Sequence, residues 1–306
     1  MGKNLQVAAC AYKRQEPAAP RLFRGNAGGV ATTLSGKGLQ MLKGFTVPRS
    51  PLGTAALTPP PPWHYAGNVL AVEFWNDPDV SADILPRGVK LDALCWGRSV
   101  ALFADCQFTA NSDEHLDPAR YQCREFFVLL DATWQGSRIA WCPYAYADND
   151  AAIMRGWVEG YPKKLGAVHQ TRTFAATSAA SAPLVNKSRF AGCVSAHGQL
   201  LAEARVILRE RADHLVGLLD RPVVARRYFP QLCAGVHHKP VVDELVRCTM
   251  NNLLIANLWV GEGELIFPET HGEELDMLGP IKVGRGFRFS FSCSISDCTI
   301  LADLTV

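Results

Sequence analysis

The segment Asp148-Asn149-Asp150-Ala151-Ala152-Ile153-Met154-Arg155-Gly156-Trp157-Val158-Glu159-Gly160-Tyr161-Pro162-Lys163-Lys164-Leu165-Gly166 holds a helix with both of its stops, followed by two adjacent lysines. Asp148, Asn149 and Asp150 are capping side chains, so a helix is expected over 151–159, and Gly160 stands at the left-handed position that closes one. Tyr161-Pro162 then takes the chain out of the helix. A lysine amine is a nucleophile only when unprotonated, and at a reference pKa of about 10.4 less than about a thousandth is free base at pH 7. Burial in an apolar pocket or a neighbouring cation supplies the missing reactivity. Adjacent residues of an extended segment point to opposite faces, so desolvation of Lys163 by aromatic neighbours is expected to matter more than repulsion from Lys164. Without such a pocket, Lys-Lys after a helix is an ordinary solvated surface pair.

Outward from this segment the chain reads as strands. Runs rich in Val, Phe, Trp and Tyr occupy 69–75, 99–108, 126–134 and 138–147,. Asp77-Pro78 reads as a cap and first turn of a short helix reaching residue 85. After an Ala/Ser-rich loop at 175–189, strand-like patterns return at 190–196, 201–210, 243–251, 253–260 and 264–267. Near the C-terminus Phe287, Phe289, Phe291, Cys293 and Ile295 share one parity, with Arg288, Ser290, Ser292 and Ser294 on the other,. No internal repeat is visible, and the pattern is that of one α+β domain dominated by antiparallel strands. Glu125 lies just before Phe126-Phe127-Val128-Leu129-Leu130, a carboxylate where a strand enters the core. Its bland alternative is a strand-end glutamate paired with Arg124 or Arg120.

The 306 residues carry 31 Lys and Arg against 29 Asp and Glu, a net charge of +2, which offers no basic excess for nucleic acid,. No apolar run is long enough for a transmembrane helix, so no membrane partner is expected. The ten scattered cysteines form no C-x-x-C and read as reduced, mostly buried thiols of a cytoplasmic protein, without zinc-site spacing,. His237-His238 would diverge on a strand and reads as a loop pair, not a metal site, and no dinucleotide, phosphate-loop, G-x-S-x-G or H-E-x-x-H motif is present. Residues 1–40 hold six basic residues and one acid and read as an N-terminal extension, either a flexible tail or a mitochondrial transit peptide,. The folded body is placed at 41–306, entered through the stiff Pro59–Pro62 run.

The helix and double-lysine segment closely resembles the signature of the acetoacetate decarboxylase family. The resemblance extends through Trp63-His64-Tyr65, the tract 121–127, Trp259-x-Gly261 before Glu264-Leu265-Ile266-Phe267, and Leu278-Gly279-Pro280-Ile281-Lys282-Val283. It implies an α+β fold built as a large curved antiparallel sheet, partly closed into a barrel around a pocket, with short flanking helices and assembly as a homo-oligomer. It implies a carbon–carbon lyase acting on a small keto compound through an imine at Lys163, with Lys164 depressing its pKa, Glu125 handling protons, and no cofactor or metal. Decarboxylation of a β-keto acid is the first expectation; aldol condensation with dehydration on the same lysine, or ligand binding without catalysis, are the alternatives. The family's decarboxylase has an arginine on its first core strand, where this chain has Tyr65-Ala66-Gly67-Asn68-Val69. Arg155 is then the candidate to hold a carboxylate, and Asp105 the candidate for a further acid. Glu159 stands where related sequences often have glutamine. Trp63, Phe127 and Trp157 are expected to supply apolar substrate contacts.

Overall fold

Six consecutive residues of the first strand, 69–74, are buried, although one of them is the glutamate Glu73. Burial on both faces means that this strand lies between two layers. On one face Leu70, Val72 and Phe74 join Phe103, Phe126 and Tyr146 and meet Val194, Leu201 and Val206. On the other, Val69 and Ala71 join Ala104, Cys106, Leu129, Phe287 and Phe289. Burying an aromatic or branched side chain of this kind contributes about 1.5–3 kcal/mol, so the two layers carry most of the stability. Glu73 is accommodated because Arg98 and Arg285 lie within ion-pair distance.

The computed structural model describes residues 41–215 and 217–305; the expectations for residues 1–40 lie outside the described residues. The strands are β1 (Trp63–Trp75), β2 (Val89–Leu91), β3 (Arg98–Thr109), β4 (Gln122–Trp134), β5 (Ser137–Ala147), β6 (Lys163–Leu165), β7 (Ala167–Gln170), β8 (Arg189–Ala196), β9 (Gln199–Arg211), β10 (Val223–Phe229), β11 (Val242–Ile266) and β12 (Lys282–Asp303). The helices are α1 (Pro78–Asp83), α2 (Pro118–Tyr121) and α3 (Asp150–Glu159). Strands pair in the order β10-β5-β4-β3-β1-β12-β11-β9-β8-β7, and β10 also pairs with β11. That second pairing closes seven strands into an uneven ring, while β9, β8 and β7 continue from β11 as the second layer. The sheet is antiparallel except where β10 and β6 run parallel to β5.

The sequence-based expectations hold for the fold, with local differences. The 243–267 region is one long strand, because Asn252 and Asn257 adopt φ of +52° and absorb the bulges that interrupt its periodicity,. Helix α1 stops at Asp83, although Asp77 caps it as expected, accepting from the Asp79 N–H at 2.9 Å. Strands β2, β6 and β7 are too short to show a period in the sequence. The run at 287–295 does place its phenylalanine face inside the ring.

Candidate active site

Helix α3 is built as its caps require. The Asn149 side chain accepts from the Ala152 N–H at 2.7 Å, and Gly160, at φ +91°, donates its N–H to the carbonyls of Gly156 and Trp157. The chain then turns through Tyr161-Pro162 into β6, which lies parallel to β5 with Lys163 beside Ala145. Lys163 thus points into the ring, against Glu125 from β4. Its Nζ donates to Glu125 Oε1 at 2.6 Å and to the Ala152 carbonyl at 3.2 Å. Both side chains are almost wholly buried, with 4% and 9% of their surface exposed. The ammonium also faces the rings of Phe127 and Tyr161, at 5.5 and 5.7 Å.

These groups occupy the polar corner of a cavity of about 180 Å³ inside the ring. Tyr65, Glu125, Glu159, Tyr161 and Lys163 form the corner, and apolar side chains of β1, β3, β4, β11 and β12 form most of the remaining wall. Burial would by itself lower the Lys163 pKa, but the carboxylates of Glu125 and Glu159 outweigh it and hold the amine above its ordinary value, as an ammonium at rest,. Burial pushes Glu159 the other way from a free carboxylate, up to about 7, against the pull of Lys163 and with Glu125 adding repulsion. Burial also raises the Tyr65 and Tyr161 hydroxyls well above the usual phenol value. The corner therefore holds a lysine in direct hydrogen-bond contact with one carboxylate, Glu125, and under the charge of a second, Glu159, whose Oε1 has no hydrogen-bond partner.

Lys163, Glu125, Glu159 and Phe127 meet at the cavity; the other residues singled out in the sequence do not line it. Lys164 takes the opposite face of β6, where its Nζ donates to Glu273 at 2.5 Å and lies over the Tyr146 ring. A cation held there by a carboxylate is a poor source of repulsion for the Lys163 amine. Arg155 is fully buried behind the wall: its guanidinium stacks on Phe108 at 4.2 Å and lies 5.8 Å from Tyr65, with Nε and Nη1 unpartnered. Asp105 has the opposite parity to the wall residue Ala104 and pairs with Arg172 at 2.8 Å outside the ring. Trp63 packs in a separate cluster with Phe108 and Tyr121, and its indole donates to the Pro59 carbonyl at 3.0 Å. Trp157 is partly exposed and donates to the Lys163 carbonyl at 2.9 Å, holding the main chain of the lysine.

Sequence reasoning missed Tyr65 and Tyr161 as wall residues and Gly156 as the surface under the lysine. A Cβ on Gly156 would lie 2.3 Å from Lys163 Cδ, so only glycine leaves the stem where it lies. The signal for Gly156 was its place seven residues before Lys163, one face of a helix turned toward the segment that follows. Among the described residues no three His, Cys, Asp or Glu side chains converge as metal ligands, and no helix is long and apolar enough to cross a membrane.

A ring-closed α+β sheet with a buried lysine–glutamate pair in an apolar cavity defines the class. Residues 46–304 match the acetoacetate decarboxylase (ADC) family, and the chain belongs to it. Among solved structures it is similar to the enduracididine biosynthesis enzyme MppR, in a complex with the condensation product of pyruvate and imidazole 4-carboxaldehyde. That match has 34% identity and a TM-score of 0.80, over 86% of this chain and 98% of that one. MppR has also been solved with pyruvate. An acetoacetate decarboxylase-like enzyme from Sphingomonas wittichii RW1 shares the fold at 24% identity and a TM-score of 0.77, over 85% of this chain and all (100%) of its own. The acetoacetate decarboxylase of Legionella pneumophila shares it at 16% and 0.65, over 81% and 90%. No curated protein matches the chain.

Proposed function

We propose that the protein is an imine-forming enzyme of carbon–carbon bond chemistry, with Lys163 as the nucleophile and Glu125 as its proton partner. The observation that carries this is the 2.6 Å contact between the two at the wall of an apolar cavity. A carbonyl substrate entering the cavity displaces what solvent remains, which raises the cost of keeping both groups of the pair charged. The ammonium proton passes to Glu125, leaving both groups neutral, the arrangement that a dry site favours. The free amine adds to the carbonyl carbon, one of its protons moves from the nitrogen to the new alkoxide to make a hydroxyl, and Glu125 returns the first proton to that hydroxyl, which leaves as water. The products are an iminium on Lys163 and a carboxylate on Glu125, a charge pair again.

The iminium is an electron sink for a bond on the neighbouring carbon. If that bond leads to a carboxylate, carbon dioxide leaves and an enamine remains; if it leads to hydrogen, Glu125 takes the proton and the same enamine forms. Protonation and hydrolysis complete a decarboxylation, while attack on an aldehyde followed by loss of water completes a condensation. Two observations favour condensation: the 34% identity to MppR, whose complex contains such a product, and the position of Arg155 behind Tyr65, away from the wall where a β-keto carboxylate would lie. Trp157 holds the main chain of Lys163 through its indole, Lys164 is held by Glu273 on the other face of β6, and neither lines the cavity.

The test is intact mass after borohydride reduction with acetone, pyruvate and acetoacetate in turn. Wild type is expected to gain the mass of one reduced adduct, and Lys163→Ala none. A wild-type protein that gains no mass with any of the three would overturn the imine reading in favour of simple ligand binding.

A further inference from the structure

What flanks the reacting carbonyl is a matter of the wall beyond the polar corner. The inward positions of β4 run from Glu125 through Phe127 to Leu129, a span of about 13 Å at roughly 3.3 Å per residue,. Leu102 lies opposite Phe127 on β3, and Leu215, Leu219 and Val223 close this side from the segment leading into β10. An apolar cavity of about 150 Å³ is enough to take up benzene, so one of 180 Å³ holds a group of that size,. The cations of the wall are already matched. Its cations among the described residues are Lys163, paired with Glu125, and Arg221, which lies 3.1 Å from Asp92 and also pairs with Asp131. An anionic group at this end would find no free counter-charge, and Glu159 and Glu125 in the same cavity would repel it,.

Resting on the imine reading of Lys163, we infer that the substrate carries, beyond its carbonyl, a neutral apolar group about the size of a benzene ring that lies against Phe127, Leu129 and Leu219. A methyl ketone with nothing further leaves that wall unfilled. A ring that fills it buries about as much apolar area as a phenylalanine side chain, which corresponds to roughly tenfold or more in half-saturating concentration.

The probes are acetone, benzylacetone and benzylacetone bearing a para-carboxylate, each titrated against borohydride trapping and followed by intact mass. Benzylacetone is expected to half-saturate trapping at a concentration about tenfold or more below acetone, and the carboxylate to forfeit most of that gain. Leu129→Trp and Leu219→Trp fill the same space from the core and from the partly exposed segment, so one reports even if the other fails to fold. In either, the preference for the ring is expected to shrink to about threefold or less. Equal half-saturation by acetone and benzylacetone in wild type overturns the inference while leaving the imine intact, as does a full preference retained in a folded tryptophan variant. Calorimetry separates the two readings: if no ketone is trapped but benzylacetone still binds wild type and Lys163→Met more tightly than acetone, the apolar site stands and the imine falls.

Discussion

Gly156→Ala is the substitution whose consequence the packing defines most sharply. The added methyl would stand 2.3 Å from Lys163 Cδ, 2.6 Å from Cε and 2.8 Å from Cγ. Carbon atoms rest at about 3.5–4.0 Å, so the lysine stem must retreat by about 1 Å. The stem can do so, because it borders a cavity, whereas the helix backbone is held by its caps and by the Tyr161 N–H donated to the Gly156 carbonyl at 2.7 Å. Stability therefore changes little: alanine in place of glycine in a helix contributes up to about 1 kcal/mol, against a similar cost for displaced packing. The amine, however, leaves its 2.6 Å contact with Glu125, and a misplacement of about 1 Å at a reacting centre costs on the order of 10²-fold in rate,. The assay is the time course of borohydride-trapped mass beside a thermal melt. Expected are an unchanged melting midpoint within a few degrees and trapping slowed about 100-fold. Trapping at the wild-type rate in a folded variant would refute the placement of the lysine against Gly156; a midpoint lowered by many degrees would show that the helix yields and not the side chain.

Glu125→Gln is expected to slow turnover by about 10²–10⁴-fold while the trapped adduct still forms, more slowly, since the amine remains but its proton partner is lost; steady-state kinetics beside a time course of intact mass checks this. Lys164→Ala removes a half-exposed partner of Glu273, a loss of about 0–1 kcal/mol, and is expected to leave the pH dependence of trapping unchanged; a shift of that profile would mean that Lys164 tunes Lys163 after all,. Glu159 has a folded-state pKa of about 7, above the 4.5 of a free glutamate, so the stability it contributes is complete below pH 4.5 and is lost as pH rises to and through 7,. Glu159→Gln is accordingly expected to be more stable than wild type at pH 8 by up to about 3 kcal/mol, and no more stable at pH 4, in denaturant titrations at the two pH values.

The helix and turn at 148–166 were legible because their signals are local: caps on Asn149 and Gly160 and the proline that follows are decided within a few residues, whereas the role of Lys163 came from the family resemblance,. The strand at 69–75 was legible by its composition and the face at 287–295 by a period of two, neither of which needs knowledge of the partner strand,. Local information stops where a side chain's destination depends on distant chain. Glu125 and Lys163 meet because β6 runs beside β5 and β5 beside β4, a pairing 38 residues apart that places both on the inner face of the ring. Glu273, 109 residues beyond Lys164, determines where the second lysine goes. Arg155 and Lys163 sit on consecutive elements, yet the face of Phe108 draws the arginine behind the wall while the lysine reaches the cavity. The sequence by itself determined which reactive side chains the chain carries and the alternation in its C-terminal strand,. Only the tertiary structure decided which charges share a dry pocket, because desolvation and Coulomb interaction depend on distance in space and not on separation along the chain.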